Sequence, residues 1–173
     1  MIIGPATDKE PILQLKGFPL KFVKEKKVLG VILDNKMAFE AHVNHICTTA
    51  QKTLNFFADI IYHANIATGR HLYCSLVRPH LERTYPLWCC TTMSNKKKVE
   101  KVHRQALLRI TRAMSTSSTD ALEVIADIMP IQCRLDTVIQ QEIAKILSKS
   151  NADPLRNLIM GMMDNLYTPE QKQ

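Results

Sequence analysis

The sequence predicts an α+β protein that is mostly α, a short antiparallel β element followed by a bundle-like set of five or six helices. Three observations carry this. Short apolar runs separated by turn signals stop near Asp34. Beyond Asp34 the apolar residues recur at helical spacing. Glycine occurs only 5 times in 173 residues, about half of average usage, which disfavours a loop-rich all-β chain.

The strand-like runs are residues 12–15, 20–23 and 28–33, set apart by Gly17 with Pro19 and by the charged stretch Lys24-Glu25-Lys26-Lys27. The run 28–33 is apolar at nearly every position, the pattern of a strand covered on both faces. Asp34-Asn35-Lys36 is a turn signal, and the period then changes. Phe39, Val43, Ile46, Ala50, Leu54, Phe57 and Ile61 follow one another at intervals of 3 or 4, a continuous stripe over about six turns of one helix.

A second helix is expected from Arg70 to about Trp88, with Leu72, Leu76, Val77, Leu81, Tyr85 and Trp88; Pro79 should kink it and Pro86 end it. A third runs from about Lys96 to Met114, with Val99, Val102, Ala106, Ile110 and Ala113. Ser117-Ser118-Thr119-Asp120 reads as a Ser-x-x-Asp start for a short helix over 121–128. Pro130 separates it from a helix over 131–147, carrying Ile131, Leu135, Val138, Ile139, Ile143 and Ile146. A last, weaker pattern covers 154–166, with Leu155, Leu158, Ile159, Met162 and Met163.

Composition and charge narrow the function classes. With 46% hydrophobic and 23% charged residues, a disordered polyelectrolyte is excluded. No apolar run approaches the roughly 20 residues that span a bilayer, and the start of the chain lacks the pattern of a secretory leader, so no membrane role is expected. Five cysteines (Cys47, Cys74, Cys89, Cys90, Cys133) in odd number and without Cys-x-x-Cys suit reduced thiols in an intracellular protein, nuclear or cytoplasmic. The net charge of +7 is concentrated: Lys96, Lys97, Lys98, Lys101, Arg104, Arg109 and Arg112 face a single acid, Glu100, between Asn95 and Met114. Lys98, Lys101, Arg109 and Arg112 share a helix face about 100° from the apolar stripe. Such a helix can dock and still turn cations outward to a phosphate backbone. The competing reading is a solvated face that only aids solubility.

Catalytic patterns are absent from the sequence. No P-loop, dinucleotide fingerprint or Gly-x-Ser-x-Gly occurs. His42-x-x-His45-x-Cys47 places the two histidines on one helix face and the cysteine away from both, without a fourth ligand at usable spacing, so a zinc site is not expected. Phe56-Phe57-Ala58-Asp59-Ile60 imitates the aromatic-Ala-Asp-Asp turn of template-directed polymerases, but Ile60 replaces the second carboxylate and Phe57 reads as helix core. No catalytic residue, metal ligand or cofactor site is assigned.

Three ordered blocks resemble a known family. The first is Val28-Leu29-Gly30-Val31-Ile32-Leu33-Asp34, then Phe39 and His42. The second is Arg70-His71-Leu72-Tyr73-Cys74-Ser75-Leu76-Val77-Arg78-Pro79-His80-Leu81-Glu82, then Pro86-Leu87-Trp88. The third is Val99-Glu100-Lys101-Val102-His103-Arg104-Gln105-Ala106-Leu107, then Ile110-Thr111 and Thr119-Asp120-Ala121-Leu122-Glu123-Val124. Over residues 1–147 they are similar to the region downstream of the catalytic aspartates in reverse transcriptases of non-LTR retrotransposons. The resemblance implies that residues 1–34 are the end of the palm with a primer-grip-like hairpin at Leu29, Gly30 and Val31, that 35–114 form a helical thumb and 115–150 a connection, with 151–173 a helical tail.

It further implies an RNA–DNA or RNA duplex as partner, held by Lys97, Lys98, Lys101, Arg104, Arg109 and Arg112, and a palm and fingers to cover the run 28–33. The family's magnesium is held by aspartates that this sequence does not contain, so the chain alone is not expected to polymerise DNA. Arg83 stands where the family usually has an aromatic, and Arg112 and Asp127 where it usually has glycine; loss of those glycines would remove left-handed helix caps. The alternative reading is a helical protein-interaction domain without a nucleic-acid role, using Met160, Met162 and Met163 and the apolar edge near Ile2 and Ile32.

Overall fold

The computed structural model describes residues 14–15, 18–19, 23–89, 91–150 and 153–167. The chain forms two compact units, Met1–Ile131 and Gln132–Gln173. It is α+β and mostly α: four short strands precede nine α-helices and one π-helical turn among the described residues.

Strands β1 (Gln14–Leu15) and β2 (Phe18–Pro19) pair antiparallel, and so do β3 (Glu25–Val28) and β4 (Val31–Asp34), with Val28 opposite Val31. Of the runs expected as strands, residues 12–13 and 20–22 lie outside the described residues; Phe18 and Pro19 pair as a strand where a turn was expected. The single strand expected over 28–33 is instead the tip and return arm of a hairpin. Leu29 (φ 49) and Gly30 (φ 89) are its two turn residues, and positive φ at both is the type I′ pattern whose twist matches the flanking strands. The stretch Lys24-Glu25-Lys26-Lys27, expected as a separator, supplies the outer strand. All of β3 is exposed, and lysines on such an edge oppose pairing with another chain. Among the described residues the run is covered only in part: Val31 is buried, the rest of β4 is half-buried, and Leu29 is fully exposed.

Asp34 fixes the passage from sheet to helix. Its carboxylate accepts the backbone N–H groups of Lys36 (2.9 Å), Ala38 (3.0 Å) and Phe39 (2.6 Å). Burial works to raise its pKa, and these donors outweigh it, so the carboxyl sits below the usual carboxylate range. Helix α1 (Glu40–Phe56) then buries Val43, Ile46, Ala50 and Leu54 of the expected stripe, and His42 beside it. The stripe does not continue in one helix: the chain breaks at Phe57, which is only half-buried, and resumes as α2 (Ala58–His63) with Ile61 buried.

The second expected helix is in fact four pieces. Asn65 caps α3 (Ile66–Leu72) by accepting from the Thr68 N–H at 2.7 Å. A π-helical turn, Tyr73–Val77, precedes α4 (Arg78–Glu82), which carries Pro79 in its first turn. Proline has no N–H for the carbonyl four residues back, and the wider turn stands directly before it. Pro86 does not end the segment; it opens α5 (Tyr85–Trp88), since a helix's first turn needs no N–H from it. Trp88 and Tyr85 are buried edge to face, with ring centroids 4.8 Å apart.

Helix α6 (Met93–Thr111) ends three residues before the expected Met114, which leaves Ala113 outside it, and buries the expected Val99, Val102, Ala106 and Ile110, and also Asn95, His103 and Leu107. Ser118 rather than Ser117 caps α7 (Thr119–Ala126), accepting from the Ala121 N–H at 3.3 Å, so the expected box with Asp120 does not form. The caps expected to be lost with glycine are kept: Arg112 ends α6 at φ 55 and Asp127 ends α7 at φ 52, both left-handed. At Asp127 the N–H groups of Ile128 and Asp127 bond the Glu123 and Val124 carbonyls, a Schellman closure. In the second unit, α8 (Ile131–Leu147) has the expected bounds, with Ile131 belonging to the first unit, and α9 (Pro154–Tyr167) runs one residue beyond its expected end. Ile2 and the side chains of Met162 and Met163 lie outside the described residues.

A left-handed, solvent-exposed leucine strains the hairpin tip by about 1–2 kcal/mol without gaining any packing. Leu29→Asn, which gives the Asn-Gly pair favoured in this turn, is expected to raise stability by about 1 kcal/mol, measured by urea unfolding; a lower midpoint would contradict the turn geometry.

Candidate nucleic-acid interface

Helix α6 lies along α1, and the cations expected to face outward divide into two groups. Four are engaged within the molecule. Lys98 Nζ reaches Asn44 Oδ1 (2.8 Å), Asn95 Oδ1 (3.0 Å) and Glu40 Oε1 (3.2 Å), tying α6 to the start of α1. Arg104 donates to Thr119 Oγ1 (2.7 Å) and to the carbonyls of Ser115 and Ser117 (2.8 and 2.7 Å), holding the loop between α6 and α7. Arg109 donates to the Leu54 carbonyl (2.9 Å) and Asn55 Oδ1 (2.7 Å), in the last turn of α1 where that helix breaks. Arg112 donates to the Ala64 carbonyl (2.6 Å) and lies over the Tyr62 ring at 5.4 Å. Lys97 and Lys101 are exposed.

Lys101 and Lys98 border a groove of about 520 Å³ between α1 and α6, whose other polar walls are Asn44, Thr48, Gln51 and Lys52 from α1 and Gln105 from α6. Lys52 and Lys101 are exposed, and their ammonium groups, among amides and a hydroxyl, make a set that can donate hydrogen bonds to phosphate oxygens, while the three N–H groups of Lys98 are taken up within the molecule. Lys52 and its neighbours on α1 were missed from the sequence, although Asn44, Thr48 and Gln51 recur at intervals of 4 and 3 beside the apolar stripe. Cys47 also lines the groove; burial pushes its thiol up to about 11, against the pull of Lys98, so it is a neutral, unreactive thiol at neutral pH.

Other singled-out residues fall elsewhere. Leu29 and Gly30 are the hairpin turn, while Val31 is buried against the first unit's core. His42 is buried with both ring nitrogens engaged: the Ile32 N–H donates to Nδ1 at 3.3 Å, which leaves Nε2–H to donate to Thr84 Oγ1 at 2.8 Å. Asp59 is exposed on α2. No disulfide joins Cys47, Cys74, Cys89 or Cys133. No group of three or more metal-ligating side chains stands together among the described residues, and no helix among them is long and apolar enough to cross a membrane.

Behind α6 lies a buried relay that the sequence did not announce. The Tyr73 hydroxyl is 2.7 Å from His103 Nδ1, and His103 Nε2 is 3.1 Å from Glu123 Oε1. Burial, with the nearby Arg78 charge, lowers the His103 pKa to about 4, so the ring is neutral at pH 7. Tyr73 O–H then donates to Nδ1 and Nε2–H to the carboxylate. Burial and Asp120 raise the Glu123 pKa.

A search of protein-family models, curated proteins and solved structures finds no match to this chain.

Two outcomes follow from this geometry. Because the folded pKa of His103 is depressed below 6.5, the unfolded chain takes up a proton there first; the stability this residue contributes is complete above pH 6.5 and is lost as pH falls to about 4. Glu123, shifted upward, acts in the opposite sense. The unfolding free energy of the native protein is therefore expected to fall across that window more steeply than that of His103→Gln, and equal slopes would reject the assignment. Arg109→Ala, which leaves the end of α1 without its guanidinium, is expected to lower stability by about 1–2 kcal/mol in thermal melts.

Proposed function

We propose that the chain is the thumb-and-connection part of a reverse transcriptase of the non-LTR retrotransposon kind, catalytically incomplete, which holds an RNA–DNA or RNA duplex by its phosphate backbone. The three ordered sequence blocks support the family, and the α1–α6 groove with the exposed Lys52 and Lys101 supports the binding. Lys97, also exposed, stands one turn before Lys101 on α6. Arg109 and Arg112 have a different part, tying α6 to the ends of α1 and α2, and Arg104 holds the loop between α6 and α7. Affinity from such a surface is sequence-independent and falls steeply with salt. Polymerisation belongs to the palm and fingers, whose aspartates and magnesium this chain does not supply.

A second reading, a helical protein-interaction domain, is favoured by one observation. Val124 (80% exposed), Ile125 (55%) and Met129 (52%) turn apolar surface outward at α7 and just after it.

The experiment is a salt titration of hybrid-duplex binding by fluorescence anisotropy. Lys52→Ala with Lys101→Ala is expected to reduce the log–log salt slope by about 2 and leave the melting temperature unchanged. No binding at low salt, or an unchanged slope in the double variant, would reject the proposal in favour of the interaction domain.

A further inference from the structure

The other flank of α1 borders a second cavity, of about 260 Å³, closed above by the Leu29–Gly30 turn and walled by His42, His45 and Thr49 of α1 and by His80, Arg83 and Thr84 at the end of α4. No carboxylate lines it. We infer that this cavity is a binding site for a tetrahedral oxyanion, a phosphate group, with the Arg83 guanidinium and the Thr84 hydroxyl as its principal donors.

The hydrogen bonds around His42 set the donor direction. Its Nδ1 accepts from Ile32, so Nε2–H donates to Thr84 Oγ1, and the Thr84 O–H is left to donate elsewhere. The Arg83 guanidinium is exposed at the same rim, and its backbone N–H is already bonded to the Pro79 carbonyl. Thr53 Oγ1 donates to the Thr49 carbonyl, so His80 Nε2–H faces it as the donor at 3.5 Å, and the ring serves as a wall of the cavity. Burial first, and then the neighbouring His45 and Lys27, disfavour His42 as a cation. A planar guanidinium beside a hydroxyl whose O–H is directed away from His42 is a donor pair matched to phosphate oxygens. The Leu29–Gly30 turn, with no Cβ at Gly30 and open space around that position, forms its roof. These residues and those of the α1–α6 groove occupy different flanks of α1, so the inference stands whether or not the groove binds a duplex.

The phosphate has two possible sources, a free anion or a phosphoryl group on a nucleic acid. Sulfate, inorganic phosphate, and a dinucleotide with or without a 5′-phosphate are titrated into the full chain while backbone amide resonances are followed. Binding is expected to shift Gly30, Thr49 and Thr84, and Arg83→Gln to weaken sulfate about tenfold without changing the melting temperature, because Arg83 is exposed; Arg83→Lys is expected to retain part of the affinity. A preference for the phosphorylated dinucleotide assigns the nucleic-acid source, and equal or tighter binding of inorganic phosphate assigns the free anion; both sustain the site. Absence of shifts at these residues with all probes, or sulfate affinity unchanged in Arg83→Gln, overturns it.

Discussion

One neutral imidazole joins the parts of the first unit. His103 stands in the middle of α6, and its two ring nitrogens meet Tyr73 from the π-helical turn and Glu123 from α7. Removal of any of the three would strand a polar group away from water, at about 1–3 kcal/mol. This fixes the rotation of α6 about its axis. With His103 turned inward, Val99, Val102, Ala106 and Ile110 complete the core on either side, and Lys98, Arg104 and Arg109 are brought to the helices they hold. The π turn fits the same requirement, since the Tyr73 hydroxyl must reach Nδ1 just before Pro79 interrupts the regular bonding pattern.

The cations of α6 illustrate how a charge run misleads when it is read without partners. Their spacing puts Lys98, Lys101, Arg109 and Arg112 on one face, and of these Lys101 stays exposed while the other three meet acceptors on α1 and at the end of α2. There the guanidinium groups meet carbonyls at helix ends, where the last turn leaves acceptors without intrahelical donors. Arginine suits the position because its fork of N–H groups serves a carbonyl and a side-chain amide together, as Arg109 does at Leu54 and Asn55. The same kind of contact accompanies the two left-handed caps. Arg112 and Asp127 carry a conformational cost of about 1–2 kcal/mol each, offset by Arg112 on Ala64 and Tyr62 and by Arg70 paired with Asp127.

Much of the fold was legible because burial imposes a period. The stripe from Phe39 to Leu54 and the apolar positions of α6 are where the spacing put them, and α8 begins and ends as expected. What failed was everything decided by a backbone angle or a distant donor. Phe57 has the spacing of a core residue, yet the helix stops there and Arg109, more than fifty positions away, takes the Leu54 carbonyl. Leu29-Gly30 reads as the middle of an apolar strand, because the run of apolar residues continues through the turn and only Gly30 marks it. Polar core residues were invisible for a related reason: His103 and Asn95 are buried by virtue of partners, and partners have no period.

The same limit applies to the candidate sites, and it explains why both were hidden on α1. That helix presents three chemistries at once. Its apolar stripe packs against the core, one flank carries Asn44, Thr48, Gln51 and Lys52, and the other carries His42, His45 and Thr49. Read along the chain these residues interleave into unremarkable polar positions. Sorted around the helix axis, each flank becomes one wall of a cavity whose opposite wall lies far along the sequence, Lys98 and Lys101 on one side, His80, Arg83 and Thr84 on the other. A recess needs two walls, so neither could be found on α1 alone. The interval pattern could have pointed to the walls, but the packing of α4 and α6 on the shared stripe was needed to make them recesses.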